Sequence, residues 1–289
     1  MTQKTATIAL IGIPNAGKST LMNALIKAKV AAVHRKPQMT RKNQIGIITD
    51  GTTQLVFVDT PGLHQNTKVL NQIMQRELYR VIDESDVIAI LVEVHTPVPV
   101  EIEAVIQSVK KKKKEWALII NKMDMPPHRH VLNKEDLQQK YQASVLAVSA
   151  LKEDGLAALL DYLKGQAREH PFCYDPDDLT TATCREIAAE CLREKMMEYL
   201  HKEIPYESTV YIEAYKEGPQ KIKIDAVIVV NKKSQKGIVL GENGVNIRRI
   251  RKAAELEFAK VVGVKVVFKL FVKVDDGWVS HEQKIREYF

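Results

Sequence analysis

Residues 12–19 form a glycine-rich segment whose residue types and spacing suit phosphate binding. They match G-x-x-x-x-G-K-[ST], with an apolar, strand-like run before them and a helix-like run after them. Glycines let backbone N–H groups close around phosphate oxygens, and a helix N-terminus adds a favourable field. We expect Lys18 to reach the β- and γ-phosphates and the Ser19 hydroxyl to bind Mg²⁺. The alternative is a strand-to-helix turn that binds nothing.

A second motif, Asp59-Thr60-Pro61-Gly62, follows the apolar residues 55–58. A carboxylate at a strand end that faces the phosphate loop suits contact with Mg²⁺ through a water. The Gly62 amide is placed to sense the γ-phosphate. D-x-x-G alone also fits an ordinary turn, but its position one hairpin after the phosphate loop makes it specific. The predicted phosphate contacts are Gly12, Asn15, Ala16, Gly17, Lys18, Ser19, Thr20 and Gly62.

Thr40 lies between these motifs in a polar stretch, residues 34–43. With a triphosphate bound, its hydroxyl would complete the Mg²⁺ shell and keep the loop ordered until hydrolysis. Thr49 competes for this role but lies in a strand-like pattern, and an ordinary surface threonine at position 40 is the other alternative. The predicted Mg²⁺ ligands are Ser19, Thr40 and Asp59. The predicted switch residues are Thr40, Asp59, Thr60, Pro61, Gly62 and Leu63.

The segment Asn121-Lys122-Met123-Asp124 follows another apolar run and carries a carboxylate suited to a base edge. Asp124 can accept hydrogen bonds from N1–H and the exocyclic amine of guanine, a donor pair that adenine lacks. Asn121 would tie this loop to the base and to the phosphate loop, and the Lys122 stem would cover the purine face. The predicted guanine contacts are Asn121, Lys122, Asp124, Ser149, Ala150 and Leu151, with the Ala150 amide facing guanine O6.

Apolar runs alternate with helix-like stretches in the first 167 residues, at 7–11, 44–49, 55–58, 87–94, 116–120 and 144–148. This alternation is typical of βαβ units around a parallel sheet. Asp50-Gly51, between the second and third runs, signals a type I′ hairpin, so those two strands should be antiparallel. We predict an α/β fold with a doubly wound, mostly parallel sheet over residues 1–167.

A break in periodicity follows at residues 168–184, which hold two prolines and several acids and are interpreted as an interdomain linker. Residues 185–289 then predict helix, strand, strand, short helix, helix and strand, a smaller α+β domain. The loop Gly241-Glu242-Asn243-Gly244 precedes the longer helix. Its glycines let the backbone approach a sugar–phosphate chain, and with this order of elements the domain resembles a type II KH domain.

Basic residues cluster in this part of the chain. Residues 221–273 hold thirteen Lys or Arg and four acids, a net charge of +9 in a chain whose total is +7. This asymmetry indicates a polyanionic partner, although a solvated basic face is the alternative. The acid at 242 departs from many KH loops and should lower affinity. The predicted RNA contacts are Gly241, Glu242, Asn243, Gly244, Lys232, Lys233, Lys236, Arg248, Arg251 and Lys252.

The run Gly-x-Pro-Asn-x-Gly-Lys-Ser-Thr, then Thr-Arg, then Asp-Thr-Pro-Gly-Leu-His, resembles the Era family, and residues 1–167 resemble a translation-factor-class GTPase domain. The KH-like half extends the resemblance over nearly the whole chain. The resemblance implies a Mg²⁺-dependent GTPase that binds GTP and GDP. It also implies the single-stranded 3′ end of 16S ribosomal RNA as ligand, and a part in small (30S) subunit assembly and maturation.

Three loop residues bear on hydrolysis. Leu63 occupies the place where Ras-like enzymes have a water-orienting glutamine, so either another group orients the water or a partner accelerates a slow reaction. The family implies the same hydrophobic substitution. Asn15 has two interpretations, a K⁺ ligand as in related GTPases or a residue that only shapes the loop. His64 is interpreted as an exposed loop histidine rather than a base.

Composition limits the setting of the protein. No run reaches the 18 or so apolar residues of a membrane helix, and three widely spaced cysteines suit reduced thiols. We expect a cytoplasmic monomer without a leader, with peripheral association at the inner membrane as an open alternative. Residues 110–114 are interpreted as a solvated lysine-rich helix end, with rRNA or anionic lipid contact as the alternative. Trp278 is interpreted as a packed aromatic, with RNA stacking as the alternative.

Two further function classes stay open on the residues alone. One is a regulatory GTPase whose C-terminal domain binds a protein or a membrane surface. The other is an ATP-driven RNA remodelling enzyme, which the guanine-selecting carboxylate at Asp124 disfavours.

Overall fold

The computed structural model describes residues 2–33, 39–63 and 69–288, and the chain divides into two compact units. The first unit comprises residues 1–31, 40–66 and 73–181, and the second comprises 32–39, 67–72 and 182–289. Each unit has its own hydrophobic core.

The first unit is built on one sheet with the strand order β2-β3-β1-β4-β5-β6, and β7 pairs with β1. Its strands are β1 (Lys4–Gly12), β2 (Gln44–Asp50), β3 (Thr53–Asp59), β4 (Val87–Glu93), β5 (Glu115–Asn121), β6 (Ser144–Ala147) and β7 (Arg168–Glu169). Its helices are α1 (Lys18–Ile26), α2 (Val69–Glu84, of which 69–72 group with the second unit), α3 (Val100–Lys111), α4 (Lys134–Tyr141) and α5 (Leu156–Gly165). The predicted mostly parallel α/β sheet is confirmed.

Both faces of this sheet are buried. Along β1, Ile8 and Leu10 lie in one core cluster while Ala9 and Ile11 lie in the other. Because successive side chains of a strand point to opposite faces, a central strand covered on both sides must be apolar throughout. Because β1 is parallel to β3 and β4, and β4 is parallel to β5, the loops that follow β1, β3 and β5 lie at the same edge of the sheet.

The hairpin between β2 and β3 is antiparallel, as predicted, but its turn differs from the predicted type. Asp50 pairs with Thr53, so Gly51 and Thr52 are the central residues. Gly51 has a positive φ of 58°, whereas Thr52 does not have one. A type I′ turn needs positive φ at both central positions, so the type I′ prediction is wrong.

Residues 168–181, most of the interval interpreted as a linker, group with the first unit. Within this segment, β7 pairs with β1. The Gln54 side chain also accepts hydrogen bonds from the backbone of Cys173 (2.8 Å) and Tyr174 (3.1 Å). The Thr180 hydroxyl donates to the carbonyl of Ile45 at 2.6 Å. The segment is therefore held by its backbone and by the Thr180 side chain, although its residue types show little periodicity.

The second unit has a three-stranded sheet with the order β10-β9-β8, in which β8 is antiparallel and β10 parallel to β9. Its strands are β8 (Ser208–Lys216), β9 (Lys221–Val230) and β10 (Lys265–Val274). Its helices are α6 (Cys184–Tyr199), α7 (Lys233–Leu240), α8 (Val245–Val262) and α9 (Glu282–Tyr288). The predicted order of elements is confirmed, and α9 is an addition to it.

Helix α6 begins at a capping box, in which Thr183 and Glu186 satisfy each other's backbone N–H groups. Its buried face and that of α8 pack on the inner face of the sheet, where Phe258 and Phe268 are among the core residues. No helix among the described residues is long and apolar enough to span a membrane.

Candidate functional site

The phosphate loop joins β1 to α1 in a backbone conformation that needs glycine. Gly17 precedes α1 with φ 94°, and Asn15 has φ 67°. A Cβ on Gly17 would lie 2.2 Å from Nδ2 of Asn121, and one on Gly62 would lie 2.7 Å from the backbone nitrogen of Pro14. The D-x-x-G segment and the N-K-x-D segment thus both close on the phosphate loop.

Lys18 is buried within this loop. Its ammonium donates to the carbonyls of Gly12 and Ile13, both at 3.1 Å. Burial lowers the pKa of Lys18 to about 8, against the opposing attraction of Asp59. Burial likewise raises the pKa of the Asp59 carboxyl, opposed by Lys18 and by two hydroxyl donors. Both groups are therefore desolvated. An anionic ligand beside Lys18 would favour its protonated, charged form.

The three predicted Mg²⁺ ligands meet at one point. The Ser19 hydroxyl donates to Oδ2 of Asp59 at 2.6 Å, and the Thr40 hydroxyl donates to the same oxygen at 3.2 Å. The two hydroxyl oxygens are 3.0 Å apart. Oδ1 of Asp59 is buried without a hydrogen-bond partner. Thr40 therefore lies with Asp59, whereas Thr49 lies in β2 and accepts a hydrogen bond from Gln54.

Asn121, 2% exposed, links three loops. Its Nδ2 donates to the carbonyl of Ala16 at 2.8 Å, and its Oδ1 accepts from the amide of Ala150 at 3.0 Å. The structure thus brings the predicted phosphate loop, the N-K-x-D segment and the segment after β6 together through one side chain.

Asp124 is exposed and oriented by a neighbour. Its Oδ1 accepts from the Ser149 hydroxyl at 2.6 Å, and Ser149 itself is fully buried. Ala150 is buried and Leu151 is exposed. The hydrogen bond from Ser149 fixes one oxygen of the exposed Asp124 carboxylate.

The Lys122 ammonium pairs with Glu93 at 2.8 Å, a contact that the sequence analysis missed. Glu93 ends β4, beside β5, and is also 3.0 Å from Nε2 of His95. The available signal was an acid at the carboxyl end of an apolar strand next to the strand that precedes Lys122.

The predicted switch residues that are described lie against the phosphate loop. The Thr60 hydroxyl donates to the carbonyl of Leu10 at 2.8 Å, and Pro61 is buried. Leu63 is buried in the core, and its amide donates to the carbonyl of Gly12 at 3.2 Å. His64 lies outside the described residues. Asn15 is exposed and Thr20 is half-buried.

The G-x-x-G loop of the second unit forms a tight turn between α7 and α8. Gly241 and Gly244 both have φ 72°, and Asn243 has φ 49°. A Cβ on Gly241 would lie 2.8 Å from Cγ of Asn246, whose Nδ2 donates to the carbonyl of Ile238 at 2.9 Å. Glu242 and Asn243 are exposed. The backbone is therefore open to solvent on one side and closely packed on the other.

The predicted basic residues divide by exposure. Those that lie exposed on α7 and α8 or at their start are Lys232, Lys233, Lys236, Arg248 and Lys252. Arg251 is half-buried, and its Nε is 3.8 Å from Oε1 of Glu255. Arg248 and Arg251 lie one turn apart on α8, but Glu255 partly neutralises the charge of Arg251.

Two residues with open alternatives have structural partners. Trp278 is fully buried, its Nε1 donates to the carbonyl of Glu207 at 3.1 Å, and its ring is edge-on to Tyr288. Lys112 pairs with Asp83, and Lys114 donates to the Asp83 and Ser85 carbonyls. These contacts favour a packed aromatic at 278 and a helix-end role for the lysine-rich stretch.

Comparison with known proteins agrees with both units. A model of the 50S ribosome-binding GTPase family matches residues 7–122, and a KH domain model matches residues 203–279. The chain is 36% identical to GTPase Era of Syntrophus aciditrophicus, over 99% of this chain and 94% of that protein. It is 37% identical to GTPase Era of Mesorhizobium japonicum, over 97% and 91%.

Two solved structures align over 99% of this chain at a TM-score of 0.93 and 28% identity. One, covered over 99% of its length, is a variant Era of Aquifex aeolicus bound to GDP and AlF4⁻. The other, covered over 98%, is Era in complex with MgGDPNP and nucleotides 1506–1542 of 16S ribosomal RNA. With curated relatives matched over nearly their full length and a GTPase unit followed by a KH unit, the chain belongs to the GTPase Era family.

Proposed function

We propose that this protein is a GTP-hydrolysing switch that binds the single-stranded 3′ end of 16S ribosomal RNA and assists assembly of the 30S subunit. The GTPase and the KH domain follow from its family. One observation carries the RNA part: the chain aligns over 99% of its length with a relative solved with both GDPNP and that RNA. The open G-x-x-G loop and the basic residues beside it support the same ligand.

Ser19, Thr40 and Asp59 fit a Mg²⁺ ion. Hydroxyl and carboxylate oxygens are ligands that Mg²⁺ prefers, and Asp59 keeps one buried oxygen without a partner. In the proposal the two hydroxyls hold the ion and Asp59 acts through a water. When bound, the ion neutralises charge that develops on the β- and γ-phosphate oxygens.

The remaining nucleotide contacts are assigned from their positions. Lys18 and the amides of residues 15–20 bind phosphate oxygens, and the Gly62 amide faces the γ-phosphate. Asp124 accepts two hydrogen bonds from guanine, which selects guanine over adenine. Water attacks the γ-phosphate directly, without a covalent enzyme intermediate.

We further propose that the nucleotide state controls RNA access. Thr40 lies with Ser19 and Asp59, and Gly62 lies against Pro14 of the phosphate loop. In the proposal, a γ-phosphate orders the residues around Thr40 and after Gly62, and this order changes the access of RNA to the KH domain.

The setting is proposed as the cytoplasm, with the protein a monomer bound to the 30S subunit. Peripheral association with the inner membrane is tested by flotation with anionic vesicles. The φ of Asn15 is 67°, a conformation that asparagine adopts more readily than most residues, so a loop-shaping role alone would account for it. Faster GTP hydrolysis in KCl than in NaCl would instead support a K⁺ ligand.

The test is RNA binding by Gly241→Asp/Gly244→Asp with GDP and with a non-hydrolysable GTP analogue. Gly165→Asp/Gly263→Asp is the control, because it adds the same charge where a Cβ meets nothing within 4 Å, and Gly263 has the same φ of 72° as the two loop glycines and so the same backbone strain. We expect wild type and control to bind with an affinity that depends on the nucleotide, and the loop variant to lose binding. If wild type fails to bind RNA in either state, the RNA part of the proposal is wrong and the GTPase stands alone.

A further inference from the structure

The outer face of the three-stranded sheet carries lysines on every strand. The opposite face packs against helices, with Val266 and Phe268 in the core. The register places six exposed lysines on the outer face: Lys216, Lys221, Lys223, Lys265, Lys269 and Lys273. Of the paired residues on this face, Asp225 is the one acid. The face therefore has a concentrated positive charge.

These lysines oppose one another across the sheet. Lys221 lies opposite Lys265, and Lys216 lies opposite Lys223. Like charges directly opposite each other destabilise a sheet. In the described part of the chain, none of the six forms an ion pair, whereas Lys284, in the same unit, is paired with Asp275. The opposed lysines cost stability, which Asp225 opposite Lys269 and the Tyr288 ring, 6.0 Å from the Lys273 ammonium, offset in part.

Protection of a sheet edge explains only some of these charges. Edge strands often carry lysine because it prevents pairing with a second sheet. β10 and β8 are the edges here, but Lys221 and Lys223 lie on β9, the central strand. Their charge requires another reason, and a polyanionic ligand supplies one.

RNA fits this face better than a lipid surface. Phe271, 41% exposed, lies between Lys269 and Lys273 on β10, and the Lys269 ammonium is 4.9 Å from the ring centre. Aromatic rings between cations suit bases and phosphates of a single strand. The only other exposed large apolar residue described on the face is Val267, too little area for insertion into a bilayer.

We propose that this sheet face is a second RNA-binding surface, separate from the G-x-x-G loop, where lysines bind phosphates and Phe271 stacks on a base. Helix α7, which leads into the loop, packs against β10, so both surfaces border the same edge strand. The loop clamps about four nucleotides, and the sheet face binds RNA beyond them. This inference rests on the proposed function only in taking RNA as the ligand of the second unit.

The test compares two RNAs with the full-length protein: nucleotides 1506–1542 of 16S ribosomal RNA, and a short RNA of about six nucleotides taken from its 3′ end, just above the four that the loop clamps. The sheet-face variant is Lys223→Gln/Lys265→Gln/Lys269→Gln. The control, Lys4→Gln/Lys134→Gln/Lys202→Gln, removes the same charge from exposed lysines elsewhere. Unchanged GTP hydrolysis and circular dichroism establish folding.

We expect the sheet-face variant to weaken binding of the long RNA and to leave the short RNA unchanged. Each lost phosphate contact lowers the salt slope by about 0.7, so three lower it by roughly 2. Between 50 and 200 mM salt, wild type then loses about 20-fold more affinity for the long RNA than the variant does. Phe271→Ala should weaken the long RNA by at least about fivefold, and Phe271→Tyr should restore it.

Three results would overturn the proposal. The sheet-face variant could bind the long RNA as the control does, or lose the two RNAs equally. It could also keep RNA affinity and lose binding to phosphatidylserine vesicles, which would assign the face to lipid. In each case, loss of RNA binding by Gly241→Asp/Gly244→Asp would still uphold the loop as an RNA site.

Discussion

Asn121 offers the sharpest test of the nucleotide site, because one buried side chain joins three of its loops. Replacement by alanine removes both the donor to Ala16 and the acceptor for Ala150. Ala16 is fully buried and Ala150 is 4% exposed, so neither backbone group gains water in compensation. The perturbation therefore leaves two polar groups unsatisfied and frees the guanine loop from the phosphate loop.

The magnitude follows from the two lost partners. A buried group left without its hydrogen bond costs about 1–3 kcal/mol. We expect Asn121→Ala to lower the free energy of unfolding of the nucleotide-free protein by about 2–4 kcal/mol. We expect the Kd for GDP to rise at least tenfold, equivalent to about 1.4 kcal/mol, because Asn121 no longer holds the Ala150 amide and the phosphate loop in fixed positions.

The assay pairs denaturant unfolding with titration of a fluorescent GDP analogue. Asn133→Ala is the matched control, since the Asn133 side chain likewise makes two hydrogen bonds to the backbone, both as acceptor, at the N-cap of α4. That variant should lose about 1 kcal/mol of stability and keep the wild-type Kd. If Asn121→Ala lost stability but bound GDP as Asn133→Ala does, Asn121 would be a structural tether without a role in nucleotide binding.

Three further predictions concern single groups. Asp124→Asn should weaken GTP and favour xanthosine nucleotides, and an unchanged guanine preference in competition binding would refute the base assignment. The pKa of Lys18 is about 8 in the nucleotide-free protein and 10.5 in the unfolded chain. GDP affinity should therefore fall about fivefold from pH 8 to 9, while the stability of the nucleotide-free protein rises. A pH-independent Kd would contradict this. Trp278→Ala should cost about 3–5 kcal/mol of stability in denaturant unfolding, with RNA affinity unchanged in the folded fraction; a selective loss of RNA binding would favour stacking.

Much of the nucleotide site was predictable because its residues act through local backbone geometry. A phosphate loop needs glycine where φ is positive, and Gly17 has φ 94°. Asp59 ends β3, which is parallel to β1, so its carboxylate lies at the same edge of the sheet as the phosphate loop that follows β1. Such requirements are visible in a short run of residue types, without knowledge of the partners.

Contacts between distant segments were not predictable in the same way. Glu93 pairs with Lys122 only because β4 lies beside β5, and the acid belongs to no motif. Lys221 lies opposite Lys265 only in the observed strand register. A one-residue shift would place the side chains of one strand on the other face of the sheet. Residues 168–181 are held to the first unit by hydrogen bonds of their backbone and of the Thr180 hydroxyl, which composition does not reveal.

Leu63 shows how burial sharpens an inference from residue type. The sequence predicts that an apolar residue after the D-x-x-G motif cannot orient water by hydrogen bonding. The structure adds that Leu63 packs in the core and that its amide is bound to the carbonyl of Gly12. A glutamine here would have to leave an apolar site, so restoring the residue type alone would not restore its usual action. The group that positions the water must therefore come from outside this side chain, and hydrolysis is open to control by whatever supplies it.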